Sequence, residues 1–412
     1  MGLVVHHEDL VAHAVLLMRC VRHRSITAPR PSIPRGLSDP LSGLDWGRRS
    51  GMRLQVEPTA QAAPSIPQRM RALSKTKPTA GLELVEVPVP EAGSGEALVR
   101  VLRAGICGTD LHIYRWDAWA SSRVALGRVI GHEFCGIVTA LGPGTTGVRI
   151  GELVAVECHV ACGACPICRA GSAHVCPRMQ VIGVDRNGGF ADYVAVPVQN
   201  LWPIPPGIEP EVAAILDPVG NAVHAALSTE LVARTVAVIG CGPIGLLAIG
   251  VARRCGAYRI FASDIRPQRL DLARVMGADV VLDARTTPVA DRIREMTAGL
   301  GADVVFEMSG SPEGIRTGLR ALRNGGFLAL LGLPAGEVLV DLVNDVIFKE
   351  ATVRGIFGRR LWETWELATR LVEGGLHVRS VITHRFPLER YEEAFQILER
   401  GEGGKVILEV AP

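Results

Sequence analysis

The sequence is short of lysine, of aromatic rings and of any surplus charge. Only Lys75, Lys77, Lys349 and Lys405 carry an ammonium group, so arginine supplies almost all the positive charge; the bias runs through the whole chain and points to no particular function. A net charge of +2 with 21% charged residues leaves no basic excess able to track a phosphate backbone, and nucleic acid is excluded as an expected partner. Long hydrophobic runs are missing too. "TVAVIG" and "FLALLGL" fall far below the roughly 18 to 20 residues that span a bilayer, so no membrane partner is expected. What is present is 412 residues, more than one core fills, and two domains are expected. Five of the ten cysteines lie between Cys158 and Cys176. That crowding suits a metal better than a disulfide framework, and hence a reducing, cytoplasmic compartment.

Residues 1–69 mix Pro, Ser, Ala and Gly without a hydrophobic period and read as a poorly ordered extension. "LVAHAVLLM" is not a signal peptide, because Glu8 and Asp9 stand where a basic region belongs. A transit peptide has arginines and serines in its favour and five acidic residues against it; synthesis beginning at Met70 is the simpler account. From Met70, "LELVEVPVP" and "EALVRVLRAGI" alternate like strands bounded by Pro and Gly. Beyond about Asn221 the texture changes to six strands, "TVAVIG", "RIFASD", "DVVLD", "DVVFEMSG", "GFLALLG" and "TVRGI", separated by helix-length segments. This predicts an α/β fold: a mainly-β domain over 70–219, a doubly wound parallel sheet over 220–358, and a return to the first domain over 359–412.

"VAVIGCGPIG" places Gly240, Gly242 and Gly245 in the G-x-G-x-x-G spacing between a strand and a helix. Glycines allow the sharp turn and the close approach of a pyrophosphate, whose charge the helix N-terminus meets. The next strand ends in Asp264, where a carboxylate accepts ribose hydroxyls and repels a 2′-phosphate, so NAD is expected over NADP. Arg269 stands on the first turns of the next helix, either beside the adenosine or in solvent. Cys241 reads as a small side chain filling the turn.

Cys162, Cys165, Cys168 and Cys176 follow C-x2-C-x2-C-x7-C, a shell of four thiolates with no position left for substrate, as in a structural zinc site. An iron–sulfur cluster competes, since Pro177 follows the last cysteine as in ferredoxin runs, but the gap of seven and the lack of a second set count against it. Cys158 is an alternative ligand or a buried spare thiol; Cys20, Cys135 and Cys255 have no partners in view. Cys107 ends a strand, and "GHEF" brings His132 and Glu133 to converge with it on a second zinc whose fourth corner is open for catalysis. Thr109 and His112 share a helical face and form a candidate proton relay, with helix capping as the plainer alternative. Asp217 precedes Pro218 as a helix start does, and also stands where a carboxylate can assist at the metal.

Together "GICGTDLHIYRWDAWA", "GHEF", the four-cysteine lobe, "GGFADY", "DPVGNAVHAAL", "GPIG", "FEMSG", "VIFK", "GIFGR", "WETW", "ITHRF" and "GKVIL" make the chain resemble the zinc-dependent L-threonine 3-dehydrogenases of the medium-chain dehydrogenase superfamily, from Met70 almost to the last residue. The resemblance implies a GroES-like catalytic domain, a Rossmann domain, a homotetramer, two zinc ions per subunit, and oxidation of L-threonine to 2-amino-3-oxobutanoate with NAD reduction. It assigns Cys107, His132 and Glu133 to the catalytic zinc, the four clustered cysteines to the structural zinc, Thr109 and His112 to the relay, and Asp217 to assistance at the metal. It sets Ile244, Asp264, Arg269, Leu331, Gly332, Leu333, Ile356 and Phe357 against NAD. Phe357 stands where a tyrosine is common, and "DLVNDVIFK" is one residue longer than usual. The alternatives are a polyol or butanediol dehydrogenase of the same superfamily and, from another class, an iron–sulfur electron carrier or a metal protein without turnover. Arg186 and His159 are candidates for the substrate's charged groups by proximity alone.

Overall fold

Alternation of apolar and polar residues in the first half of the chain, and near-continuous apolar strands in the second, produce two kinds of sheet. In the computed structural model, which describes residues 66–411, the first is antiparallel at its centre. Glu96–Ile106 pairs with Glu133–Leu141 on one side and with Lys405–Glu409 on the other. Leu153–Val156 and Leu201–Pro203 extend it one way, Ile382–Pro387 the other, and Tyr193–Pro197 pairs with the near end of Glu96–Ile106. A three-stranded sheet of Arg69–Lys75, Glu83–Pro88 and Arg128–Val129 lies apart in pairing. The Lys405–Glu409 strand arrives from the far end of the sequence to sit beside the strand that ends at Cys107.

The second sheet has six parallel strands in the order Val280–Asp283, Arg259–Asp264, Thr235–Ile239, Ala302–Glu307, Leu322–Leu330, Thr352–Gly355. This is the doubly wound order in which the direction of winding reverses beside the first strand, opening a crevice at the carboxyl edge of the sheet. Strands buried on both faces need unbroken apolar runs, and Val236, Ala237, Val238, Ile260, Phe261, Val305 and Phe306 are all within 2% of full burial. Helices Pro243–Arg254 and Pro267–Val275 begin with proline where a missing N–H costs nothing. The expected α/β class is therefore met, down to the six strands. The reading of residues 1–69 falls, up to residue 65, outside the described residues; the first strand opens at Arg69.

Candidate active site

The Glu96–Ile106 strand delivers Cys107 to the start of the helix Gly108–Arg115, with Cys107 itself at the N-cap. Asp110, three residues on, closes that turn: its Oδ2 accepts the Cys107 N–H at 2.9 Å, and its Oδ1 lies 3.3 Å from Nδ1 of His132. Asp110 is fully buried, and its carboxylate stands behind that ring nitrogen as an ion-pair partner, leaving the other nitrogen available to a metal. Burial works to lower the His132 pKa, yet Asp110 and Cys107 hold it well above its ordinary value. The same negative surroundings favour a divalent cation. Candidate ligand atoms of Cys107, His132 and Glu133 all lie within 4.8 Å of one another, and the two latter residues are buried. This donor set, soft sulfur with imidazole and carboxylate, fits zinc with one corner open.

Glu133 is held from behind by Lys405, whose Nζ lies 2.5 Å from Oε2, both side chains almost wholly buried. Burial raises the Glu133 carboxyl; Lys405 opposes this, and the nearby Asp217 carboxylate adds to it. Asp217 itself is buried in the first turn of Leu216–Ala226, and its Oδ2 has no hydrogen-bond partner among the described residues. Thr109 Oγ1 lies 4.0 Å from the Cys107 sulfur. His112 faces outward, with Nδ1 paired to Asp117, and no hydrogen bond links it to Thr109 among the described residues.

A cavity of about 240 Å³ joins this cluster to the glycine loop: Cys107, Glu133 and Lys405 line one wall, Pro243, Ile244 and Arg269 another. Gly240 has φ of +94°, open in practice only to glycine, and Gly245 packs directly on the Gly240 carbonyl. A Cβ built on Gly242 meets nothing within 4 Å, so the loop keeps open space before the helix N-terminus, as a pyrophosphate needs. Asp264 ends its strand at the same edge. Its Oδ2 accepts the Cys241 N–H at 2.7 Å and its Oδ1 the Arg266 N–H at 2.8 Å, while Arg269 is 3.8 Å away. Leu331 and Gly332 give their N–H groups to the Glu307 carbonyl at 3.1 Å, Leu333 is 90% exposed, Ile356 is buried, and Phe357 stands edge-on to His159. All five follow the ends of adjoining parallel strands.

In the four-cysteine lobe the Cys162–Cys168, Cys165–Cys176 and Cys162–Cys176 sulfur separations are 3.9, 4.0 and 3.5 Å. A tetrahedron with bonds of ~2.3 Å has edges of about 3.8 Å, so the lobe fits one zinc-sized ion and not a multi-iron cluster. Backbone N–H groups of Ala164 and Cys165 bring the Cys162 thiol down to about 5, a thiolate ready for metal. Arg186 is taken up by Glu96 at 2.5 Å and lies on a different cavity, away from the cluster. Sequence reasoning passed over Asp110, Glu157, Arg359 and Lys405. For Asp110 a signal existed, an acid three residues after an N-cap; Lys405 stands out only as a lysine in a chain with few.

Three candidate metal donors with an open side, facing a glycine loop, are the arrangement expected of a zinc-binding dehydrogenase, and the family matches give that class. Residues 93–206 match the alcohol dehydrogenase GroES-like domain and residues 243–374 the zinc-binding dehydrogenase domain. The chain is 44% identical over 342 residues to the L-threonine 3-dehydrogenase of Pyrococcus horikoshii, covering 82% of this chain and 98% of that protein. The fold is similar to an alcohol dehydrogenase of Escherichia coli CFT073 solved with NADH (TM-score 0.77, 28% identity, 84% of this chain and 100% of that one). It is also similar to 2R,3R-butanediol dehydrogenase of Bacillus subtilis (TM-score 0.76, 28% identity, 83% and 100%). The chain belongs to the zinc-dependent L-threonine 3-dehydrogenase family.

Proposed function

We propose that the protein oxidises L-threonine to 2-amino-3-oxobutanoate with NAD as acceptor. The observation that carries the reading is the 44% identity that runs through 98% of the Pyrococcus horikoshii L-threonine 3-dehydrogenase, against 28% for the butanediol dehydrogenase of similar fold. Residues 70–219 with 359–412 form the catalytic unit, and 220–358 the NAD-binding unit. Cys107, His132 and Glu133 hold a catalytic zinc; Cys162, Cys165, Cys168 and Cys176 hold a structural one, giving two per subunit. When bound, the two partners of the substrate supply a Lewis acid for its hydroxyl and a hydride acceptor for its Cβ.

The rest falls to this chain. Thr109, beside Cys107, is the first acceptor of the hydroxyl proton, and His112, exposed and paired with Asp117, is its exit to water; because the two share no hydrogen bond among the described residues, a water or a hydroxyl of the bound cofactor has to bridge them. Asp217, whose charge is felt by Glu133 and whose Oδ2 is buried without a partner among the described residues, is a second acceptor. Gly240, Gly242, Ile244, Gly245, Asp264, Arg269, Leu331, Gly332, Leu333, Ile356 and Phe357 line the cofactor's path. Nine free cysteines and no disulfide among the described residues support a cytoplasmic setting. For the homotetramer, support comes from the edge strand Thr352–Gly355, exposed at all four residues, flanked by exposed Ile347 and Phe348. Initial rates of NADH formation on L-threonine, 2,3-butanediol and sorbitol test the assignment. A higher kcat/KM on either diol or polyol than on threonine refutes it.

A further inference from the structure

Arg359 is 1% exposed, although arginine seldom leaves water. It follows the edge strand Thr352–Gly355 by four residues and turns inward between the two sheets' domains. Its Nε and Nη2 meet the two oxygens of Glu157 at 2.8 and 2.5 Å, a bidentate fork that leaves the plane of the guanidinium no freedom. Its Nη1 meets Oδ1 of Asp217 at 2.5 Å and Oδ1 of Asn221 at 3.2 Å. Glu157 is itself anchored by the Trp365 indole N–H at 2.6 Å. Gly220, one turn from Asp217, makes room: a Cβ there would stand 2.5 Å from Cδ of Arg359.

Glu157, Cys158 and His159 also have the separations of a metal-binding trio. Nη2 of Arg359 already occupies that place, 2.5, 3.4 and 2.9 Å from the three side chains. The trio is therefore satisfied by a guanidinium and needs no ion.

We propose that Arg359 is a positioning residue for the reaction: by gripping Oδ1 of Asp217 it fixes the orientation of a carboxylate whose other oxygen is buried and unpartnered among the described residues. The inference deepens the reading of Asp217 given above and rests on it. A carboxylate on a helix's first turn has free rotation about χ2; with one oxygen fixed to a guanidinium that is itself fixed to Glu157 and Trp365, only one orientation remains. Because Arg359 lies two residues beyond Phe357, on the cofactor's expected path, the same contact ties the NAD side of the cleft to the acid.

The test is a double-mutant cycle on the zinc-loaded, full-length enzyme, using Arg359→Met, Asp217→Asn and the pair together. Arg359→Met should lower kcat roughly 10²-fold, within the range that a positioned acid–base group contributes. The KM for NAD and the bound zinc, measured by elemental analysis, should stay within about twofold. Arg359→Lys, which can reach one carboxylate but not both, should recover part of the loss. In the Asp217→Asn background the Arg359 change should cost little more, because the two act as one unit. If Arg359→Met does not fold, Arg359→Lys in the same cycle gives the same readout. Full additivity of the two losses, or an unchanged kcat with only a lowered melting temperature, overturns the proposal in favour of a brace between domains. Should the parent enzyme prefer 2,3-butanediol to threonine, the substrate assignment fails while the cycle, run on the diol, still decides the role of Arg359.

Discussion

Gly242 and Gly245 share one loop but answer to different constraints, and alanine at each position separates cofactor binding from folding. At Gly242 a new methyl meets no heavy atom within 4 Å, and the backbone, at φ −65°, suits any residue. The free protein then loses only the N-cap difference between glycine and alanine, roughly 0.5 to 1 kcal/mol. At Gly245 the methyl stands 2.0 Å from the Gly240 carbonyl oxygen and 3.1 Å from its carbon. Backbone cannot swing aside as a side chain does, so the Pro243–Arg254 helix must back away from the strand it packs on, at a cost of about 1 to 3 kcal/mol. With roughly 2 to 4 °C of melting temperature per kcal/mol, Gly245→Ala should melt several degrees below the parent and Gly242→Ala within a few degrees of it. Binding should show the reverse order. The Gly242 methyl fills the space a pyrophosphate needs, so NADH affinity should fall at least about tenfold, equivalent to ~1.4 kcal/mol. Thermal melts and NADH fluorescence titrations on both variants are sufficient. Parental NADH affinity in Gly242→Ala, or a parental melting temperature in Gly245→Ala, refutes the reasoning.

In zinc-free protein, Lys405→Met leaves Glu133 buried without its counter-charge and should cost about 3 to 5 kcal/mol, seen as a lower urea midpoint; an unmoved midpoint counts against the buried pair. Asp264→Ser removes the carboxylate that accepts the Cys241 and Arg266 N–H groups. It should raise the KM for NAD by about tenfold and lower that for NADP, checked by initial rates with both; an unchanged preference rejects the assignment. Burial pushes the Glu157 carboxyl up, but Arg359 and His159 overcome it and hold the pKa below the ordinary carboxylate range. A carboxyl depressed in the folded state stabilises fully above its unfolded pKa, about 4.3. Its contribution therefore drains away as pH falls below that value toward the folded one. Acid unfolding followed by tryptophan fluorescence should show this limb, and Glu157→Gln should flatten it.

The parts of the site that were legible in sequence are those set by spacing along the chain. Four cysteines within fifteen residues, three glycines before a helix, and a histidine next to a glutamate mark candidate donors and a candidate cofactor loop whatever the rest of the fold does. The six parallel strands were legible for a related reason: burial on both faces leaves an unbroken apolar run between turn signals. What stayed hidden depends on partners far apart. Arg359 finds Glu157 across 202 residues, and nothing near either marks the pairing. The same holds for Lys405 and Glu133, and for the choice of Glu96 by Arg186, which took a candidate substrate-binding arginine out of the site. His112 shows a further limit, since helical periodicity put it on the Thr109 face but could not show its ring turned toward Asp117.

The strand Lys405–Glu409 lies between Glu96–Ile106 and Ile382–Pro387, and its first residue pairs with Glu133, a candidate ligand of the metal cluster. A ribosome making this chain releases the parallel sheet well before that strand emerges, so the NAD-binding half can collapse while the catalytic half still lacks a central neighbour. Activity thus waits on that one strand: nascent chains halted before Lys405 should hold cofactor yet turn nothing over, with an open sheet edge left for chaperones to cover.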